Sequence, residues 1–129
     1  MAVVFAREGA KVVVSARTEK EGDFRIEGSI ETAVNRIKAE GGEAVGIRCD
    51  VTKEEDYQAL FDQTVEQYGK IDILFANAGG ASNHAPIVDL TDEAMQDSLE
   101  WNFWHTFWTM RASLKYMICL LYTSPSPRD

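Results

Sequence analysis

No apolar run of about 18 residues or more occurs in the chain, which argues against a plain membrane-spanning helix. The nearest approach, Trp101 to Tyr122, is interrupted by His105, Arg111 and Lys115. Cysteine is almost missing: the two thiols, Cys49 and Cys119, stand far apart with no Cys-x-x-Cys or Cys/His spacing. That excludes a disulfide framework and a zinc site, and both read as reduced, mostly buried thiols. Positive charge is scarce, with 13 Lys and Arg against 21 Asp and Glu and a net charge of −8. With no basic run, a nucleic-acid partner is excluded. The two histidines, His84 and His105, read as a surface residue and a helix-packing residue, so no metal site is expected. Met1 to Gly9 has no basic leader and no cleavage pattern, which reads against a signal peptide. A cytoplasmic protein is the expectation.

What is present is an ordinary globular mix, 45% hydrophobic and 26% charged over 129 residues, long enough for one domain with a core. One phrase recurs three times: an amphipathic stretch, a glycine, then an apolar run. The first is Met1 to Glu8, Gly9, then Val12 to Val14. The second is Ile30 to Glu40, Gly41 and Gly42, then Ala44 to Ile47. The third is Lys53 to Tyr68, Gly69, then Ile71 to Ala76. Tyr57, Leu60, Phe61, Thr64, Val65 and Tyr68 follow helical spacing, as do Ile30, Ala33, Val34 and Ile37. Ser29 is the expected N-cap of the second helix, and Thr52 with Glu55 predicts a capping box on the third.

Each glycine falls where a helix ends in a left-handed residue. The short β-branched runs lack alternation, as in strands covered on both faces. Helix, glycine, strand, repeated, predicts an α/β fold with a doubly wound parallel sheet. Ligands in such sheets lie beyond the carboxyl ends of the strands. The informative residues are therefore Ser15 to Arg17, Cys49 to Val51, and Asn77 to Gly80. The last group is unusual for its lack of side-chain bulk.

Arg48-Cys49-Asp50-Val51-Thr52, followed by Gly69-Lys70-Ile71-Asp72-Ile73-Leu74 and then Asn77-Ala78-Gly79-Gly80, resembles the short-chain dehydrogenase/reductase family. The resemblance runs from about Met1 to Ile118 and includes the Asn102 helix. It implies a partial Rossmann-like sheet, lacking the first strand and the C-terminal half. By resemblance, Asp50 accepts from the adenine amino group and Val51 packs beside the ring. Asn77, Ala78 and Gly79 match the Asn-Ala-Gly turn, where low bulk lets the adenosine ribose approach. Ala76 stands where the family usually has another asparagine. At the end of the first run, NAD-preferring members have an acidic residue; here Ala16 and Arg17 follow instead. A guanidinium can grip a 2′-phosphate, which favours NADP over NAD. The connection from Thr18 to Gly28 is long for the family and would lie near the adenosine end.

Asn102 matches the family's catalytic asparagine, which sits in a kinked helix and whose backbone carbonyl holds a water of the proton relay. His105 departs from the small residue usual there. The helix carrying Trp101, Phe103, Trp104, Phe107, Trp108 and Met110 is apolar nearly all round and calls for cover on every side. In the family it packs on the sheet and helps form a dimer interface, so a homodimeric or homotetrameric parent is expected.

Two family motifs are absent from these residues: the glycine-rich phosphate turn, and the serine with Tyr-x-x-x-Lys. None of Tyr57, Tyr68, Tyr116 and Tyr122 has lysine four positions on. The expectation is a fragment, close to inactive alone, of an enzyme moving a hydride between NADP(H) or NAD(H) and an alcohol/carbonyl substrate. A non-catalytic nucleotide-binding or interaction module is the alternative, and a flavodoxin-like domain a third. The domain is placed at residues 1–118, and residues 119–129, ending Tyr-Thr-Ser-Pro-Ser-Pro-Arg-Asp, read as a non-native tail. With the first strand missing from the centre, a gap of about 9–10 Å is expected beside the strand ending at Ala16.

Overall fold

The computed structural model describes residues 1–20, 28–80 and 84–123. Helix α1 (Ala2–Arg7) leads into strand β1 (Lys11–Ala16), and α2 (Ile30–Ala39) into β2 (Glu43–Arg48). Helix α3 (Glu54–Tyr68) follows. After a 3₁₀ turn at Ile87–Asp89 come α4 (Asp92–Leu99), a π-helical segment at Glu100–Trp104, and α5 (His105–Thr123). The three helix–glycine boundaries lie where the sequence puts them: Gly9, Gly41 and Gly69 have φ of 89°, 82° and 81°. Ser29 caps α2, its Oγ accepting from the Thr32 N–H at 3.1 Å.

β1 and β2 pair in parallel, from Lys11 opposite Glu43 to Ala16 opposite Arg48. Two apolar clusters hold the helices. In one, Val12, Val14 and Ala44 of the sheet meet Ala6 of α1 and Ile30, Val34 and Ile37 of α2. In the other, Tyr57 and Phe61 of α3 and Ala112 of α5 close over Cys49 and Ile71. Arg7 donates to Glu40 at 2.6 and 3.1 Å, tying α1 to the end of α2.

Two expectations need correction. The capping box does not form: Lys53 is the N-cap of α3 and its side chain makes no capping bond. Thr52 instead donates its hydroxyl and its N–H to Asp50 Oδ1, at 2.7 and 3.1 Å. Both Thr52 groups thus turn back to Asp50, a short polar side chain two residues earlier, rather than toward the first turn of α3. The apolar run Ile71 to Ala76 is also not a strand; among the described residues the sheet has two strands, β1 and β2. A strand exists only through its neighbour, and β1 is paired on one edge alone. Between the other edge and residues 70–77 lies a cleft of about 800 Å³. The missing pairing thus falls beside β1, where the sequence places the gap.

Helix α5 continues to Thr123, past the boundary expected at Ile118. Residues 124–129 of the expected tail lie outside the described residues, as do 21–27 of the long connection. That connection is anchored at its ends, where Ile30 and Glu31 donate to the Thr18 and Glu19 carbonyls at 3.0 and 3.2 Å.

Candidate nucleotide site at the strand ends

The chain turns away from β1 at Arg17, from β2 at Asp50 and from the third run at Asn77. Arg17, Val51, Asn77, Ala78 and Gly79 all line this cleft, together with Trp101. Asp50, next to Val51 in the chain, is not among the residues that line it. The Arg17 guanidinium carbon lies 4.9 Å from the centre of the Trp101 ring. A guanidinium at this distance from an indole ring is attracted to its face.

Burial pulls the Asp50 carboxyl upward, but hydrogen bonds from the Thr52 hydroxyl and amide outweigh it. With the fields of Arg17 and Lys53, they leave its pKa below the ordinary carboxylate value. Asp50 is therefore an ionised acceptor at neutral pH. Next to it, Cys49 is 2% exposed. Burial, with the Asp56 carboxylate nearby, pushes the Cys49 thiol up to about 11. It is an inert core thiol rather than a nucleophile.

Asn102 locks the third loop. Its amide donates to the carbonyls of Gly80 and Ser98, both at 2.8 Å, and its Oδ1 accepts from the Gly80 N–H at 3.1 Å. A Cβ on Gly79 would stand 2.6 Å from that Oδ1. The lack of bulk at Gly79 thus has a structural cause as well as any cofactor-related one: the Asn102 amide occupies the space. Gly80 has open space around it. Where the resemblance implies a kink, the helix winds as a π-turn from Glu100 to Trp104, with Asn102 at its centre. Such turns expose backbone groups and recur at functional sites. The Asn102 carbonyl accepts from the Thr106 hydroxyl at 2.8 Å.

Sequence reasoning missed Trp101 as the platform for Arg17 and Thr106 as the partner of the Asn102 carbonyl. The second had a signal, a threonine four positions along a helix. His105 is 2% exposed and packs against the rings of Trp101 and Trp108, with centroids 5.7 and 5.5 Å away. His84 is exposed. Among the described residues no group of three or more His, Cys, Asp or Glu is gathered as a metal would need. No helix among them is long and apolar enough to cross a membrane.

The profile of the short chain dehydrogenase family matches residues 1–123. An uncharacterized oxidoreductase of Listeria innocua is 38% identical over 101 residues, covering 78% of this chain and 37% of its own. An L-fucose dehydrogenase of Oryctolagus cuniculus is 33% identical over 107 residues, covering 83% and 34%. A short-chain type dehydrogenase/reductase from Mycobacterium marinum superposes with a TM-score of 0.77 at 31% identity, over 92% of this chain and 44% of that one. An actinorhodin polyketide ketoreductase solved with NADPH gives 0.76 at 31%, over 94% and 43%. The chain spans less than half the length of these relatives. Order of motifs, parallel α/β architecture and family profile agree: the chain belongs to the short-chain dehydrogenase/reductase family.

Proposed function

We propose that these residues form the adenosine-binding part of an NAD(P)-dependent oxidoreductase acting on an alcohol/carbonyl pair, with NADP preferred. The observation that carries this reading is that Arg17, Val51, Asn77, Ala78 and Gly79 line one cleft, with an ionised Asp50 next to Val51 in the chain. The donor and acceptor types suit an adenosine 2′-phosphate. Asp50 accepts from the adenine amino group, Val51 packs on the ring, and Ala78 and Gly79 give the ribose room. Arg17, beside Trp101, is the guanidinium assigned to the 2′-phosphate. When bound, the nicotinamide half supplies the hydride. By the family resemblance, Asn102 contributes its backbone carbonyl to the relay water, in a helix turn fixed by its own side-chain bonds. No tyrosine here is followed four residues on by lysine. This chain alone should therefore bind the adenosine half and show no turnover.

Saturation-transfer NMR with adenosine 2′,5′-bisphosphate and with AMP tests the reading. The 2′-phosphate should bind more tightly. Arg17→Ala should remove about 1.5–3 kcal/mol, on the order of 10- to 100-fold, from that ligand alone. Asp50→Ala should weaken both. Equal losses for both ligands on Arg17→Ala would remove the phosphate assignment, and no transfer to either would remove the nucleotide reading.

A further inference from the structure

Asp50 is held at every polar atom but one. Its N–H donates to Asp56 Oδ2 at 2.9 Å, and its carbonyl accepts from the Lys53 N–H at the same distance. Its Oδ1 accepts from the Thr52 hydroxyl at 2.7 Å and from the Thr52 N–H at 3.1 Å. Among the described residues, Oδ2 accepts no hydrogen bond. Each oxygen of an ionised carboxylate can accept more than one donor. This carboxylate is therefore divided, with one oxygen committed to its own chain and the other open.

The division has a local cause. Thr52 stands two residues on, where a tight Asx turn brings its hydroxyl and its N–H onto the same oxygen. An aspartate carboxyl otherwise turns freely about its last torsion, whose energy wells are broad. Here a turn breaks two bonds at once. Burial raises the Asp50 carboxyl, and the Thr52 hydroxyl is the largest of the influences that lower it. Bonds of this kind, to a charged acceptor, are stronger than neutral ones. The backbone on either side is fixed as well, by Asp56 and by the Lys53 N–H.

We propose that Thr52 is a positioning residue, which keeps Oδ2 of Asp50 open for the C6 substituent of a purine and so selects a 6-amino over a 6-oxo base. This rests on the nucleotide reading and names the residue that sets how Asp50 meets the base. An amino group at C6 donates to Oδ2, whereas a carbonyl there sets acceptor against acceptor. The same logic gives a reversal. In Asp50→Asn the Thr52 donors hold the amide oxygen in the place of Oδ1, because an amide nitrogen does not accept. The amide NH₂ then takes the place of Oδ2, as a donor that suits a 6-carbonyl.

The test is an NMR titration of the 129-residue chain with AMP and with inosine 5′-monophosphate. Each variant is read as the ratio of its two Kd values, which a loss of folded protein leaves unchanged. The wild-type chain should prefer AMP by about tenfold or more. Thr52→Val should cut that preference about two- to tenfold, and Thr52→Ser, which keeps the hydroxyl, should preserve it. Asp50→Asn should favour inosine monophosphate, and adding Thr52→Val should shrink the reversal. In the ligand-free chain, Thr52→Val should raise the Asp50 carboxyl pKa, followed by carboxyl-carbon NMR. An AMP preference untouched by Thr52→Val, or lost equally in Thr52→Ser, would overturn the role of Thr52. So would an Asp50 pKa that Thr52→Val leaves in place, or no reversal in Asp50→Asn. A wild-type chain with no preference would instead remove Asp50 from adenine recognition, taking this inference and that part of the nucleotide reading together.

Discussion

Gly79 and Asn102 constrain each other, and the constraint is measurable. A methyl group at Gly79 would lie 2.6 Å from Asn102 Oδ1, too close for either to stay in place. Gly79→Ala should cost about 1–3 kcal/mol, the usual range for forced overpacking. Asn102→Ala removes the clamp on Gly80 and opens the same space. In that background Gly79→Ala should cost little, so the two losses should not add. A double-mutant cycle by urea denaturation should show a coupling on the order of 1–2 kcal/mol. Additive losses would mean that the amide is not what keeps Gly79 small. The loop's low bulk was legible in the sequence, because Asn-Ala-Gly-Gly stands out after an apolar run. Its cause was not, since the Asn102 side chain comes from a helix 22 positions beyond Gly80. The same limit hid Trp101 under Arg17. Local pattern shows which residues are small or charged, whereas tertiary packing decides what they face.

Within the elements, the sequence was most readable where one periodicity ran long enough. Helices α2 and α3 begin and end within a residue of the expected bounds because helical apolar spacing and a terminal glycine agree at both. Pairing between elements was less readable. Ile71 to Ala76 has strand-like composition, but composition cannot supply the neighbour that makes a strand. The Thr52 and Glu55 pattern failed for a related reason: Asp50 offered Thr52 a nearer acceptor. Packing of α2 on β2 leads to a second prediction. A Cβ on Gly46 would run into the Ile30 side chain. Gly46→Ala should therefore destabilise by about 1–3 kcal/mol, although alanine suits a strand backbone better than glycine. Ile30→Ala in the same chain should recover part of the loss from Gly46→Ala. A shift of the urea midpoint upward in the single variant would mean that α2 does not press on Gly46.

At the scale of the whole molecule, the sequence called for cover on every side of the aromatic helix, and the described residues cover only part. Trp108 and Ala112 pack inward against α3. Trp104, Phe107, Met110, Leu114 and Ile118 remain 40–49% exposed along one side of α5. Spaced three or four apart, they form a continuous apolar stripe. Apolar stripes of this extent mark association surfaces. A second copy is the partner that the family resemblance implies for this helix, and a helix lying against its own symmetry mate presents the same stripe to both chains. Sedimentation velocity should show a concentration-dependent dimer. Leu114→Glu places a carboxylate inside the stripe on both chains and should raise the dissociation constant more than about tenfold. Hydrogen exchange separates this surface from the cleft beside β1. Dimer formation should slow exchange in 104–118 and leave 71–76 unchanged. A dimer that survives Leu114→Glu and protects 71–76 instead would move the association surface from α5 to the open edge of β1.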